Sequence, residues 1–431
     1  MRRRLPARGA LACVCVALST LSWGACRQNV EQAVDTRSFA ADAEEYVDVV
    51  LALGERDHDS LDFYSGPPER TARARERNLT MPEIRRWAAE LRERLAGGHS
   101  TSADEQARRE FMIRQLEAVI GRVDLLAGKR FTFDEESRLF FGVTVDDGDR
   151  APADRARAEL ERLLPGRGSL GQRYAAFDSR FMVAPDRLPA VLARALEECR
   201  RVTLEHISLP AGESVSIEYT RMMPWSAFTT YEGRGHSRIE INTDFGLTVD
   251  RAFNLACHEA YPGHHAINTL IDTRLVGPNQ RVELTTQPMF SPQTLRTEGA
   301  ATFAPELAFT DASRLAFERD ELFPLAGLKP NEAERYYRVS KLVAQLGWFQ
   351  ADVARRYLDG NLEFVRAAAE LEDRALMPSA EATLKFLNEF RTYAVTYTVG
   401  RDLVAREVDG NGEADEATRW RNFEGWVTNT K

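Results

Sequence analysis

The chain has 431 residues, of which 43% are hydrophobic and 29% are charged. This composition is typical of a soluble globular protein and excludes a disordered chain or a protein with several membrane spans. The net charge of −9 at neutral pH argues against a nucleic-acid partner, which would require a basic stripe on the surface. The length allows one large domain or two smaller ones.

The first 25 residues have the features of an export signal. Four arginines lie within the first eight residues, and an apolar run follows over residues 10–21. This pattern predicts a secretory signal that is too short for a comfortable membrane span. Gly24-Ala25-Cys26 resembles the end of a bacterial lipobox, although Trp23 departs from the usual Leu-like residue. We therefore expect an exported cell-envelope protein, either anchored to the membrane only through a lipid on Cys26 or simply secreted.

Beyond Cys26 the chain contains two cysteines, Cys199 and Cys257. Two cysteines are too few for a disulfide framework. Both lie in apolar helical patterns, which predicts two small buried thiols.

Residues 26–209 form the first of two regions that the sequence pattern distinguishes. From about residue 42 to residue 206, apolar residues recur at spacings of three and four, which predicts amphipathic helices. The clearest sets are Ile84, Trp87, Leu91 and Leu95, and Leu192, Leu196, Cys199 and Val202. We therefore expect a helical N-terminal region.

The second region, residues 210–431, begins with strand-like alternation. Residues 214–219 and 237–242 alternate between polar and apolar side chains, and residues 225–231 between them are rich in aromatic and β-branched types. Such patterns are typical of β-strands. They predict a small antiparallel sheet of two or three strands.

Helical patterns return after the sheet. Asp250 lies near the predicted start of a helix that carries His258 further along. Residues 331–358 predict one long amphipathic helix, and residues 381–408 predict a last helical segment. The chain is therefore expected to be mainly α (α+β), with its small sheet beside the helix that carries His258. We expect the two regions to pack as one unit.

The most informative segment runs from His258 to His265, with the sequence H-E-A-Y-P-G-H-H. It contains three of the seven histidines of the chain, and a carboxylate follows the first of them. Zinc in hydrolytic sites is bound by His nitrogens and carboxylate oxygens, with one position open for water. An adjacent Glu that does not bind the metal can take a proton from that water. The segment therefore predicts a zinc site with Glu259 as the general base.

A regular helix cannot place these histidines around one ion. His264 is rotated from His258 by about 240°, and His265 lies about 10.5 Å further along the axis. Pro262 and Gly263 stand where a helix breaks or bulges. We expect a break there to bring His264 to His258, with His265 next to the site or as an alternate ligand. The alternative is a plain helix stop, where histidines interact with free carbonyls.

A third ligand is expected from an acidic residue on a following helix. Glu298 lies 34 residues after His264 and precedes an apolar helical stretch, which leaves room for a loop and a return crossing. The alternative is a solvated glutamate at the start of a helix.

The segment resembles the mark of the DUF885 family of bacterial proteins, H-E-x-x-P-G-H-H, without departure. Members of that family are similar to zinc metallopeptidases of the gluzincin type. A second family motif, E-G-W-A-x-Y-A-E, is matched in part by residues 298–305, where Ala300 and Pro305 replace a Trp and a Glu. Residues 59–64 with the following Gly66-Pro67 are also similar to the N-terminal part of such proteins.

The resemblance implies that His258, His264 and Glu298 bind Zn²⁺ and that Glu259 is the general base. A third motif, a Tyr three residues before a Gly, is matched by Tyr397 and Gly400.

Tyr397 is thereby implied as the hydrogen-bond donor to the oxyanion that forms when water attacks a carbonyl. Tyr393, one turn earlier, is the second candidate for this role. A buried helix tyrosine with a satisfied hydroxyl is the alternative interpretation of Tyr397.

A further gluzincin feature is an edge strand beside the metal, which binds an extended peptide through main-chain hydrogen bonds. Residues 237–242 are the candidates here, with Arg234, His236 and Ile239 as possible substrate contacts. An ordinary packed hairpin with a solvated turn is the alternative.

These features predict an exported zinc-dependent hydrolase, a metallopeptidase that acts on peptide amide bonds. Two alternatives stay open: a metal-dependent hydrolase of a non-peptide amide, and a catalytically inactive envelope lipoprotein that binds a partner. The expected partner is a peptide or a small amide, and the sequence leaves the oligomeric state open.

Overall fold

Helices account for most of the protein, which a computed structural model describes over residues 38–100, 102–146 and 148–429. Helical residues make up 69% of the structure, which confirms the predicted mainly α class. The predicted leader and Cys26 lie outside the described residues. No described helix combines the length and the apolar character that a membrane span requires.

Eight described helices precede the main sheet, and several start at caps that the sequence encodes. Capping boxes begin three of them, at Thr80 with Glu83, Thr132 with Glu135 and Ser169 with Gln172. The eight are α1 (Phe39–Gly54), α2 (Pro68–Arg77), α3 (Met81–Gly97), α4 (Ala103–Leu126), α5 (Phe133–Phe141), α6 (Ala151–Leu163), α7 (Leu170–Asp178) and α8 (Leu188–His206).

Twelve described helices follow the sheet. They are α9 (Val249–Glu259), α10 (His264–Ile271), α11 (Gly277–Asn279), α12 (Pro292–Ala308), α13 (Asp311–Phe317), α14 (Phe323–Ala326), α15 (Ala333–Ala344), α16 (Gly347–Leu358), α17 (Phe364–Arg374), α18 (Ala380–Phe390), α19 (Arg401–Asp409) and α20 (Glu416–Thr428). Helix α9 packs against both α8 and α12, and α12 packs against α19 and α20. From Ser38 onward the chain forms one compact unit, in which α9 and α12 lie next to each other.

Five short strands form two sheets in the described residues. They are β1 (Leu61–Tyr64), β2 (Ser214–Thr220), β3 (Ala227–Gly233), β4 (His236–Asn242) and β5 (Thr286–Pro288). Strands β1 and β5 pair antiparallel, and the other three form a sheet in the order β2-β4-β3. The predicted small sheet is confirmed, but β2 runs parallel to β4, so the main sheet is mixed rather than wholly antiparallel.

The order of the main sheet corrects the edge-strand prediction. Residues 237–242 belong to β4, which is hydrogen-bonded to β2 on one side and to β3 on the other. Its main-chain groups are therefore used within the sheet, and the prediction that this segment binds a peptide as an edge strand is wrong. Alternation of side chains predicts that a segment is a strand, but the place of a strand in a sheet depends on distant pairing partners.

Two long helices predicted after the sheet are interrupted. Helix α15 ends at Ala344 and α16 begins at Gly347, because glycine disfavours a helix interior. Helix α18 ends before Arg391, which has a left-handed φ of 51° and donates from Nε to the buried carboxylate of Glu136 over 2.7 Å. A 3₁₀ turn (Arg391–Ala394) and a π-helical turn (Thr396–Gly400) then lead to α19.

The prediction of two free thiols is wrong, because Cys199 and Cys257 form a disulfide. Cys199 lies on α8 and Cys257 on α9, and their Cα atoms are 5.5 Å apart. Both residues are fully buried. The bond joins the N-terminal helices to the helix that carries His258, although the cysteines are 58 residues apart in sequence.

Replacement of both cysteines, Cys199→Ala with Cys257→Ala, is expected to lower the free energy of unfolding by about 4 kcal/mol. The bond closes a 58-residue loop, and a loop of that size restricts the unfolded chain by about this amount. Urea unfolding of the double variant, with reduced wild-type protein as the control, measures the difference. Equal midpoints for oxidised and reduced wild-type protein would contradict a stabilising disulfide.

Candidate metal centre

The break between α9 and α10 brings two histidines together. Helix α9 ends at Glu259 and α10 begins at His264, which confirms the predicted interruption at Pro262 and Gly263. A Cβ on Gly263 would lie 1.8 Å from the carbonyl oxygen of His258, so only glycine permits this close return of the chain. The imidazole rings of His258 and His264 consequently lie 4.8 Å apart between centroids.

Glu298 completes a cluster of three possible metal ligands. It lies inside α12 and is 4% exposed, so it is not the solvated helix-start residue of the alternative interpretation. Its Oε1 lies 3.0 Å from Nε2 of His258, and its Oε2 lies 3.3 Å from Nε2 of His264. The ligand atoms of the three residues all lie within 4.8 Å of one another.

The donor set fits a zinc ion. Buried polar atoms nearly always have a hydrogen-bond partner, yet Oε1 of Glu298 has none among the described residues. The ring nitrogen Nε2 of His258 lies 3.0 Å from it. Two imidazole nitrogens and a carboxylate oxygen that converge in this way match the ligands of hydrolytic zinc sites.

In the metal-free protein, Glu298 and His264 each stabilise the charged form of the other. Burial raises the pKa of Glu298, but the charges of His258 and His264 outweigh burial and hold that pKa well below its usual range. Burial lowers the pKa of His264, but the charge of Glu298 and its contact with the ring raise the net pKa to about 9. The ion pair of His264 therefore stabilises the metal-free fold fully below pH 6.5, the ordinary pKa of His, and that contribution is lost as the pH rises through about 9.

Zinc affinity is expected to rise about tenfold per pH unit between pH 7 and about 9. Zinc binds the neutral imidazole, so at pH 7 it has to displace the proton that His264 holds with a pKa of about 9. Titration of the metal-free protein at several pH values, with calorimetry in buffers of different ionisation enthalpy, measures both the affinity and the released proton. An affinity that stays constant over this range, with no proton release, would contradict the described charge state.

Glu259 is held beside the cluster by Thr229, a residue that no sequence motif indicates. The hydroxyl of Thr229 on β3 donates to Glu259, with Oγ1 2.7 Å from Oε2 and 3.0 Å from the carbonyl oxygen. Glu259 is 5% exposed, and its charge acts on both His264 and Tyr397. The carboxylate therefore lies near the cluster without belonging to it, as a general base requires.

Two glycines place the tyrosines near the cluster. A Cβ on Gly299 would lie 2.4 Å from the carbonyl carbon of Gly400, so α12 and the π-helical turn pack backbone to backbone. Tyr393 is buried, and its hydroxyl donates to Oε2 of Glu298 over 2.9 Å. Tyr397 is 39% exposed, and its ring centroid lies 6.4 Å from that of His258. Tyr393 thus orients the carboxylate of the cluster, whereas Tyr397 is open to solvent.

His265 points away from the cluster. It is fully buried, with Nε2 2.8 Å from Oε2 of Glu213 and Nδ1 2.8 Å from Oγ of Ser237. Tyr261 donates to the same oxygen of Glu213, and Arg200 donates to Oε1 over 2.6 Å. Burial raises the pKa of Glu213, but these hydrogen bonds outweigh it and lower the pKa to about 2. His265 therefore ties α10 to the sheet, while His264 is the histidine that joins His258.

The predicted substrate contacts on the sheet do not join the ligand cluster. The main-chain N–H of Arg234 donates to Asp272 over 3.0 Å. Nδ1 of His236 lies 2.9 Å from the hydroxyl of Ser214. Ile239 is buried within the central strand. The part of the sheet that reaches the site is Thr229 on β3.

Comparisons with known proteins give distant structural likenesses. The sequence matches no protein-family model and no curated protein. Among solved structures, a candidate lipoprotein from Colwellia psychrerythraea aligns with a TM-score of 0.46 and 14% identity, over 83% of this chain and 72% of that one. A candidate lipoprotein of unknown function from Shewanella oneidensis aligns with a TM-score of 0.42 and 12% identity, over 83% and 75%. At these scores neither protein informs on the chemistry of the site.

Proposed function

We propose that the protein is a zinc-dependent hydrolase that cleaves peptide amide bonds. The observation that carries the proposal is the convergence of His258, His264 and Glu298, with an unpartnered carboxylate oxygen among their ligand atoms. Glu259 lies beside this cluster and outside it, which is the arrangement that water activation by a general base needs. The similarity to gluzincin peptidases in the segment from His258 to His265 supports a peptide as the substrate.

The residues around the cluster have distinct tasks under this proposal. Zinc bound by the three ligands would polarise a scissile carbonyl and lower the pKa of water. Glu259 accepts a proton from the attacking water and passes it to the leaving amine. The hydroxyl of Thr229 fixes one oxygen of Glu259 and leaves the other to accept that proton. Tyr397 donates a hydrogen bond to the oxyanion.

We further propose that the protein works outside the cytoplasm, in the cell envelope. The basic and apolar leader that ends near Cys26 supports export. The disulfide between Cys199 and Cys257 supports an oxidising compartment, because such bonds are rare in reducing ones.

Cleavage of a defined peptide mixture by the zinc-loaded protein tests the proposed function. We expect peptide cleavage that disappears when zinc is removed by a chelator and returns when zinc is restored. Zinc binding without cleavage of any peptide would instead favour a non-peptide amide as substrate. Less than about a tenth of an equivalent of tightly bound zinc would overturn the proposal in favour of a binding lipoprotein. Protein sites with several zinc ligands normally bind the metal tightly.

A further inference from the structure

A carboxylate outside the ligand cluster interacts electrostatically with the residues of the site. Asp62 lies on β1, where the register shifts between the pairs Leu61–Pro288 and Phe63–Gln287, so that Asp62 is the extra residue of a bulge. Bulges occur next to active sites, where they redirect a side chain. Phe63 holds the strand in place, because its ring packs edge-on against Tyr231 of β3 at 5.8 Å.

The charges of the cluster act on the carboxylate of Asp62. Its Oδ1 is buried without a hydrogen-bond partner among the described residues. Burial raises the pKa of Asp62; the charge of His264 opposes this, the charges of Glu298 and Glu259 add to it, and the net value is about 7. Asp62 in turn acts on Tyr393 and Tyr397.

Two simpler roles do not fit Asp62. It is not a fourth ligand, because its oxygens do not join the group of ligand atoms that lie within 4.8 Å of one another. Its Oδ1 is not a structural hydrogen-bond acceptor either, since this oxygen accepts nothing within the described residues. A half-buried carboxylate in this position is costly unless a cation or a donor pairs with it.

Charge balance indicates what the missing partner is. With zinc bound, the imidazoles are neutral, and the metal supplies two positive charges. Glu298, Glu259 and an ionised Asp62 together carry three negative charges, one more than the metal would balance. Arg251 is an exposed cation whose charge acts on Tyr397, whereas the charges of Glu298 and Glu259 act on Asp62 itself. A substrate that brings one positive charge next to the scissile bond would compensate the charge of Asp62.

We propose that Asp62 binds an ammonium group of the substrate, so that peptides with a positive charge beside the scissile bond are preferred. This inference rests on the proposed function, since it assigns a substrate class to the same site. The ammonium group comes either from a free peptide N-terminus or from a lysine side chain. Both form charge-assisted hydrogen bonds with a carboxylate.

Binding of small metal chelators to the zinc-loaded protein tests this inference without a known substrate. Alanine hydroxamate carries a free α-amino group, N-acetylalanine hydroxamate lacks it, and Nα-acetyllysine hydroxamate carries only the side-chain ammonium. Calorimetry on the wild-type protein, Asp62→Asn and Asp59→Asn gives their dissociation constants. Asp59 is the matched control, because it precedes the same strand and is absent from the charges that act on the site groups.

We expect wild-type protein and Asp59→Asn to bind one ammonium-bearing hydroxamate at least about tenfold more tightly than N-acetylalanine hydroxamate, as a charged pair in a low-dielectric site predicts. Asp62→Asn should lose this preference and bind N-acetylalanine hydroxamate as the wild type does. The preferred compound identifies the N-terminal or the lysine ammonium. Equal binding of all three compounds to wild-type protein and Asp62→Asn overturns the role of Asp62 and leaves the metal centre standing. Binding of none of them overturns the proposed function as well.

Discussion

Replacement of Glu259 by Gln is expected to lower kcat/KM for the best-cleaved peptide by about 10²- to 10⁴-fold, the range that a positioned general base contributes. The amide has nearly the same shape as the carboxylate, and its oxygen can still accept the hydrogen bond from Thr229, which now spans 2.7 Å. It cannot take a proton from water. The local structure and the zinc content should therefore persist while turnover is lost.

Two further variants test whether a loss of activity is specific to the carboxylate of Glu259. Glu306→Gln is the surface control, because Glu306 is exposed and pairs with Arg401; it should leave kcat/KM unchanged. Thr229→Val removes the hydrogen bond that orients Glu259 and should lower kcat by about 10- to 100-fold, the range of one hydrogen bond to a charged group. Full activity of Glu259→Gln would eliminate Glu259 as the base.

Replacement of His264 by Ala is expected to reduce zinc affinity by more than about 100-fold. Loss of a residue that only hydrogen-bonds to a metal ligand already reduces affinity by about 10- to 100-fold, and His264 is itself a ligand in this account. His264 supplies one of the three ligand atoms that converge within 4.8 Å, and the cluster would retain only His258 and Glu298. Competition with a chromophoric chelator measures the zinc dissociation constant.

His265→Gln is the matched comparison for His264→Ala, because the two residues are neighbours in sequence. His265 makes its contacts with Glu213 and Ser237, so its replacement should weaken the fold by a few kcal/mol, as loss of a buried charged hydrogen bond does. Zinc affinity of the folded protein should be nearly unchanged. Loss of zinc in His265→Gln but not in His264→Ala would contradict the described arrangement.

The local features of the site could be predicted from the sequence. Pro262 and Gly263 stop a helix wherever they occur, so the break that brings His264 to His258 could be predicted from helix geometry. The close return of the chain also explains why residue 263 is a glycine, since a Cβ on Gly263 has no room beside the carbonyl oxygen of His258. Glu298 could be proposed from its place on a following helix and from the family motif.

The parts that depend on distant packing could not be predicted in this way. Nothing in the spacing of Cys199 and Cys257 indicates that α8 and α9 lie side by side, so the disulfide was missed. Thr229 and Asp62 are ordinary strand residues in the sequence, and only the fold brings Thr229 to Glu259 and Asp62 within reach of the charges of the cluster. The similarity of residues 59–64 to the N-terminal part of the DUF885 family was the one signal that pointed toward Asp62.

The zinc content of the purified protein tests the central claim most directly. After zinc loading and dialysis against chelator-treated buffer, mass spectrometry should find about one zinc per chain in the wild-type protein, as expected for a site with three protein ligands. The same measurement on Glu298→Ala should find almost none, because the cluster then lacks its only carboxylate ligand. A wild-type protein with less than a tenth of an equivalent, or a Glu298→Ala variant with a full equivalent, would contradict a metal centre formed by His258, His264 and Glu298.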